Sequence, residues 1–122
     1  MNSLYKERLL EIYAEKKRFG RLEGATHEVQ MKNPGCADEI FIELRVEKGK
    51  VVDAKFHGKA CFVSAVSAEV LLENVIGMAV SNLGNLKKED LDRFLGIKIA
   101  ETRAGCELFP LEALKKILEV AR

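Results

Sequence analysis

The chain has 122 residues, 48% of them hydrophobic, which suffices for one core and is too short for two ordinary domains, so a single domain over 1–122 is expected. Its 20 basic and 19 acidic residues leave a formal charge of +1, which gives no electrostatic reason to expect nucleic acid or a membrane surface as partner. No apolar run approaches the roughly 20 residues of a membrane span, and the polar start Met1 to Glu7 has no signal-peptide core, so the expected location is cytoplasmic, where thiols stay reduced.

In chain order, the spacing of Tyr5, Leu9, Ile12 and Tyr13 predicts a first helix over about 3–17, with Ser3 as N-cap. Gly20 and Gly24 punctuate a connector. Alternation then predicts three strands. The first, over 25–31, turns His27, Val29 and Met31 to one face. The second, over 40–46, points Ile40, Ile42, Leu44 and Val46 inward and Glu43, Arg45 and Glu47 outward. Glu47-Lys48-Gly49-Lys50 reads as a hairpin turn with positive φ at Gly49. The third strand, over 51–57, puts Val52, Ala54 and Phe56 inward. A charged outer face suits an antiparallel sheet with one side in water.

Helices follow. One begins near Cys61 and runs to about Ile76; residues 77–84 form a broken stretch; a short helix over 87–95 ends at Gly96. Lys87-Lys88-Glu89-Asp90 reads as a helix start with a solvated, mixed-charge face. A last helix starts near Pro110, a residue suited to a first turn, and buries Leu111, Leu114, Leu118 and Ala121. The fold class expected is α+β, a small three-stranded antiparallel sheet with helices packed on one face.

The three cysteines occupy distinctive settings. Cys36 lies in Asn33-Pro34-Gly35-Cys36-Ala37-Asp38, a turn between two strands, with Asp38 on the same side if the chain is extended. Cys61 follows Gly58-Lys59-Ala60 at a helix start, where the helix dipole favours a thiolate. Cys106 follows Arg103 in an expected exposed loop before the last helix. An odd count argues against a closed disulfide framework. Three thiols and a carboxylate suit a soft or borderline metal, yet spacing alone equally allows buried cysteines acting as small hydrophobes. No C-x-x-C pair occurs. His27 reads as a structural histidine, His57 as solvent-facing, and Ser64 and Ser67 as packing and capping residues.

These motifs, taken in order, resemble the U-type iron–sulfur cluster assembly scaffolds: IscU, SufU and the N-terminal domain of NifU. The segments are Asn33-Pro34-Gly35-Cys36-Ala37-Asp38, then Gly58-Lys59-Ala60-Cys61 with Ser64 and Ser67, then Arg103 and Cys106 before the final helix. The opening Leu4-Tyr5 helix and the hairpin ending in Asp53-Ala54-Lys55-Phe56 extend the likeness over nearly the whole chain.

The resemblance implies a SufE/NifU-like fold and a carrier rather than an enzyme. It implies that Cys36, Asp38, Cys61 and Cys106 bind a transient [2Fe-2S] cluster, with Cys106 first accepting sulfur from a cysteine desulfurase. An iron donor and apo-protein acceptors belong to the same expectation, and the oligomeric state stays open. A carboxylate among thiolates suits a cluster meant to leave, because four thiolates hold one more firmly. Ala37 replaces the family's glycine, Gly105 stands where IscU carries histidine and SufU usually lysine, and neither the SufU insertion nor the IscU chaperone motif is present. The alternatives that stay open are a Zn2+-bound, SufU-like sulfur acceptor and a purely structural zinc module.

Overall fold

The computed structural model describes residues 3–33, 38–100 and 104–120. Helix α1 (Ser3–Glu15) leads into three strands, β1 (His27–Lys32), β2 (Glu39–Glu47) and β3 (Lys50–Lys59). Helix α2 (Phe62–Val75), a 3-10 turn (Val80–Asn85), α3 (Lys88–Leu95), α4 (Ala104–Lys115) and the short α5 (Ile117–Val120) complete the order. The strands form one antiparallel sheet in the order β1-β2-β3. The expected α+β class is therefore borne out.

Alternation in β2 fixes which face is buried. Ile40, Ile42 and Leu44 are fully enclosed and meet Leu71, Leu72 and Val75 of α2 and Phe109, Leu111 and Leu114 of α4 in one core. Each such side chain contributes about 1.5–3 kcal/mol relative to exposure. A second, smaller cluster joins Leu9 of α1 to Val66 and Val70 of α2 and Leu95 of α3. At the β2–β3 hairpin, Lys48 and Gly49 both have positive φ (52° and 77°), the pairing that lets two strands keep their right-handed twist through a two-residue turn.

The structure corrects several expectations. Val51 rather than Val52 enters the core, because the register slips between Arg45 and Val46 and leaves Val52 as the extra residue of a bulge. Glu43 points to the outer face but is buried, because the connector after α1 crosses that face. Phe19 pairs with Phe56 at the edge of β3, Arg21 Nε lies 3.2 Å from Glu43 Oε1, and Leu22 N–H donates to the same oxygen. Lys88 turns inward rather than into solvent, and α4 begins six residues before Pro110, which lies inside it. The expected role of Ser3 as N-cap, the Tyr5 side chain and Ala121 lie outside what is described.

Candidate metal and sulfur site

Cys61 is the N-cap residue of α2, with extended backbone (φ −67°, ψ 168°), and its carbonyl accepts the helix's first bond, from Ala65 N–H at 2.8 Å. Its position follows from the strand before it. Gly58 adopts φ +112°, and a Cβ there would sit 2.3 Å from the Glu39 carbonyl oxygen. Only glycine lets β3 stay paired with β2 here while the chain turns toward the helix.

Asp38 opens the way into β2. Its carbonyl accepts a hydrogen bond from Asn33 N–H at 2.9 Å. Its side chain is buried, and Oδ2 accepts from Cys61 N–H at 3.1 Å. This ties one carboxylate oxygen to the first turn of α2.

Cys106 sits in the first turn of α4 and is half-buried, not on an exposed loop. The turn is held against α2 by two serines. Ser64 Oγ donates to the Cys106 carbonyl at 2.8 Å, and Ser67 Oγ to the Glu107 carbonyl at 2.7 Å; both serines are fully enclosed. Ser64 also receives a long contact from the Cys61 thiol, 3.5 Å between Sγ and Oγ. Asp38, Cys61, Ser64 and Cys106 therefore form one connected chain of contacts. Cys36 and Arg103 lie outside the described residues. Among those described, no three His, Cys, Asp or Glu side chains already form a metal cage.

The donor set at this junction is two half-buried thiols and a carboxylate on rigid elements. Thiolate and carboxylate are the ligand types that zinc and iron–sulfur clusters accept, so the residues fit such an occupant. The histidines stand apart from this contact chain. His27 Nδ1 contacts Thr26 Oγ1 at 2.8 Å. His57 stacks on Phe41 with ring centres 4.7 Å apart and faces Glu43 at 3.5 Å.

Sequence reasoning missed the polar network behind Cys106. Glu107 is fully buried, with Lys88 Nζ 3.5 Å from its Oε1. Lys88 also reaches Asp92 at 2.9 Å and the Ile99 carbonyl at 3.1 Å, and Ile99 N–H donates to Asp92 Oδ1. Burial, reinforced by the neighbouring Asp92 carboxylate, pushes the Glu107 carboxyl up to about 8, so it is largely neutral at pH 7. Asp92 is held below its ordinary value: burial raises it, but the neighbouring Glu107 carboxyl, the Lys88 hydrogen bond and the Ile99 N–H more than offset this. Lys88 is held above its ordinary range, chiefly by its hydrogen bond to Asp92. The network fixes residues 97–99 and α4 to α3, directly beside the cysteine. A Glu next to Cys106 carries no local sequence signal of burial; only the helical phase of α4, once its true start is known, would show it.

The profile of the NifU-like N-terminal domain matches residues 4–119. An iron–sulfur cluster assembly scaffold protein IscU from Thermotoga maritima is 44% identical over 87 residues, covering 70% of this chain and 61% of that protein, so the chain spans less than two thirds of this relative. The zinc-dependent sulfurtransferase SufU of Bacillus subtilis is 26% identical over 117 residues, covering 96% of this chain and 77% of that protein. Among solved structures, a candidate scaffold for the SUF system from Fervidobacterium islandicum superposes with a TM-score of 0.73 at 26% identity, covering 92% of this chain and 94% of that one.

Proposed function

The chain belongs to the NifU-like N-terminal domain family, and from that premise we propose that it is a scaffold on which iron–sulfur clusters are assembled and handed to acceptor proteins. The observation that carries the reading is the contact chain from Asp38 through Cys61 and Ser64 to Cys106, which joins residues 68 positions apart at one junction of sheet and helices. Cys61, Cys106 and Asp38, together with Cys36, are the proposed ligands of a [2Fe-2S] cargo. When bound, that cargo supplies the inorganic sulfur and iron that acceptors need.

The chain's own residues prepare the site. The start of α2 holds Cys61 beside Asp38, whose carboxylate accepts the Cys61 N–H. Asp38 offers a harder oxygen donor among thiolates, which weakens the hold on a cluster destined for transfer. For sulfur delivery, the Cys106 thiolate attacks the outer sulfur of a desulfurase persulfide. A new S–S bond forms on Cys106, and the desulfurase cysteine departs as a thiolate.

The kinship with the Bacillus zinc-dependent sulfurtransferase favours one second reading: zinc on the same ligands and a sulfur-acceptor role for a desulfurase. Anaerobic reconstitution with ferrous iron, cysteine, a cysteine desulfurase and a thiol reductant that brings persulfide sulfur to sulfide separates the two. Scaffold action gives protein-bound visible absorbance that Cys106→Ser abolishes. Tightly held zinc with stimulated desulfurase turnover and no cluster supports the acceptor role. Neither signal would refute both.

A further inference from the structure

An α-helix pairs the N–H of each residue with the carbonyl four residues earlier. Proline has no N–H. Pro110 lies inside α4, four residues after Cys106, so the Cys106 carbonyl cannot receive its helical partner. A part-buried carbonyl deprived of that bond is best satisfied by a donor from elsewhere. Ser64 Oγ supplies it at 2.8 Å from the neighbouring helix. Ser64 stands three residues after Cys61, on the same face of α2, and lies 3.5 Å from its sulfur. The single hydroxyl proton goes to the Cys106 carbonyl, so Ser64 offers Cys61 a lone pair. One fully buried side chain thus touches both cysteines.

We propose that Ser64 is the positioning residue that sets Cys106 against Cys61, and that Pro110 gives it this role by withholding the helical donor from the Cys106 carbonyl. Ser67 is built differently. It bonds the Glu107 carbonyl, whose helical donor would be Leu111, a residue that has an N–H. The consequence for sulfur chemistry rests on the reading of Cys106 as a functional thiol; the tether itself does not depend on that reading.

Because the two halves of the device lie on different helices, they make a rescue experiment. In Ser64→Ala the Cys106 carbonyl loses the bond from the Ser64 hydroxyl and the first turn of α4 loosens. In Ser64→Ala/Pro110→Ala the N–H of residue 110 takes over. The readout is the alkylation rate of Cys106 in the metal-free full chain, followed by mass spectrometry. Ser64→Ala should raise that rate about fivefold to tenfold, the worth of one hydrogen bond, and the double variant should bring it back toward wild type. Pro110→Ala should not rescue Ser67→Ala. An unchanged rate in Ser64→Ala, or a double variant as fast as the single one, overturns the proposal. If Ser64→Ala alone does not fold, recovery of folding by Pro110→Ala supports the tether and failure to recover contradicts it. Zinc binding by the wild-type chain is measured in parallel: its absence would count against the functional reading and leave the alkylation result intact.

Discussion

Replacing Glu107 with glutamine should change how stability depends on pH, and the structure fixes the sign. The Glu107 carboxyl is raised from 4.5 to about 8 by burial and by Asp92 beside it. Between those two values the unfolded chain has released this proton and the folded chain still holds it. Stability therefore falls as pH rises through the window: the contribution is complete below 4.5 and gone above about 8. At about 1.4 kcal/mol per pH unit, the loss accumulates to at most about 5 kcal/mol. Glutamine cannot ionise and nearly matches the neutral acid in shape, so the variant should lack this component. The assay is urea unfolding of metal-free wild type and Glu107→Gln at half-unit steps from pH 5 to 9; the difference between the two curves cancels titrations they share. The variant should gain on wild type steadily as pH rises and level off above about 8. A constant difference would refute the reasoning. So would wild type gaining on the variant, which would mean that Glu107 is ionised and paired with Lys88.

Gly58→Ala should destabilise the fold by about 2 kcal/mol or more, since φ is +112° and the new Cβ meets the Glu39 carbonyl; thermal melting reads this directly. Leu71→Ala, in the fully enclosed core of α2, should cost about 2–5 kcal/mol in urea unfolding with little change in the slope of the transition. Asp38→Ala removes the acceptor of the Cys61 N–H and should cost about 1.5–3 kcal/mol in the metal-free protein. The same variant should also release zinc faster to a chelator, whereas a residue that is only structural would leave the release rate unchanged.

The binary pattern made much of this fold legible. Ile40, Ile42 and Leu44 announce a strand with one buried face, and Lys48-Gly49 announces the hairpin after it. The start of α2 at Cys61 was equally readable. What escaped depends on contacts distant in sequence. A bulge that exchanges Val51 for Val52 leaves no mark on alternation until the partner strand is present. Glu43 is buried by a connector about 20 residues earlier in the chain. Pro110 was read as a helix start because proline suits a first turn; inside α4 it is tolerated because the carbonyl it orphans is satisfied by a serine on another helix. Of the candidate site, Asp38, Cys61 and Cys106 were named from sequence and the structure joins them by contacts, while Cys36 lies outside the described residues. The spacing of Cys106 and Pro110 was visible throughout. Its meaning required knowing that α4 begins at Ala104.

The most direct test is X-ray absorption at the metal edge on protein purified without oxygen, in parallel with Cys36→Ser, Cys61→Ser, Cys106→Ser and Asp38→Ala. A shared site predicts a mixed shell of sulfur with one oxygen-type ligand, in which each cysteine variant loses sulfur and Asp38→Ala leaves the sulfur count intact. A shell that keeps its sulfur in Cys61→Ser or Cys106→Ser would show that these two thiols do not meet at a common metal, and the functional reading would fall with it.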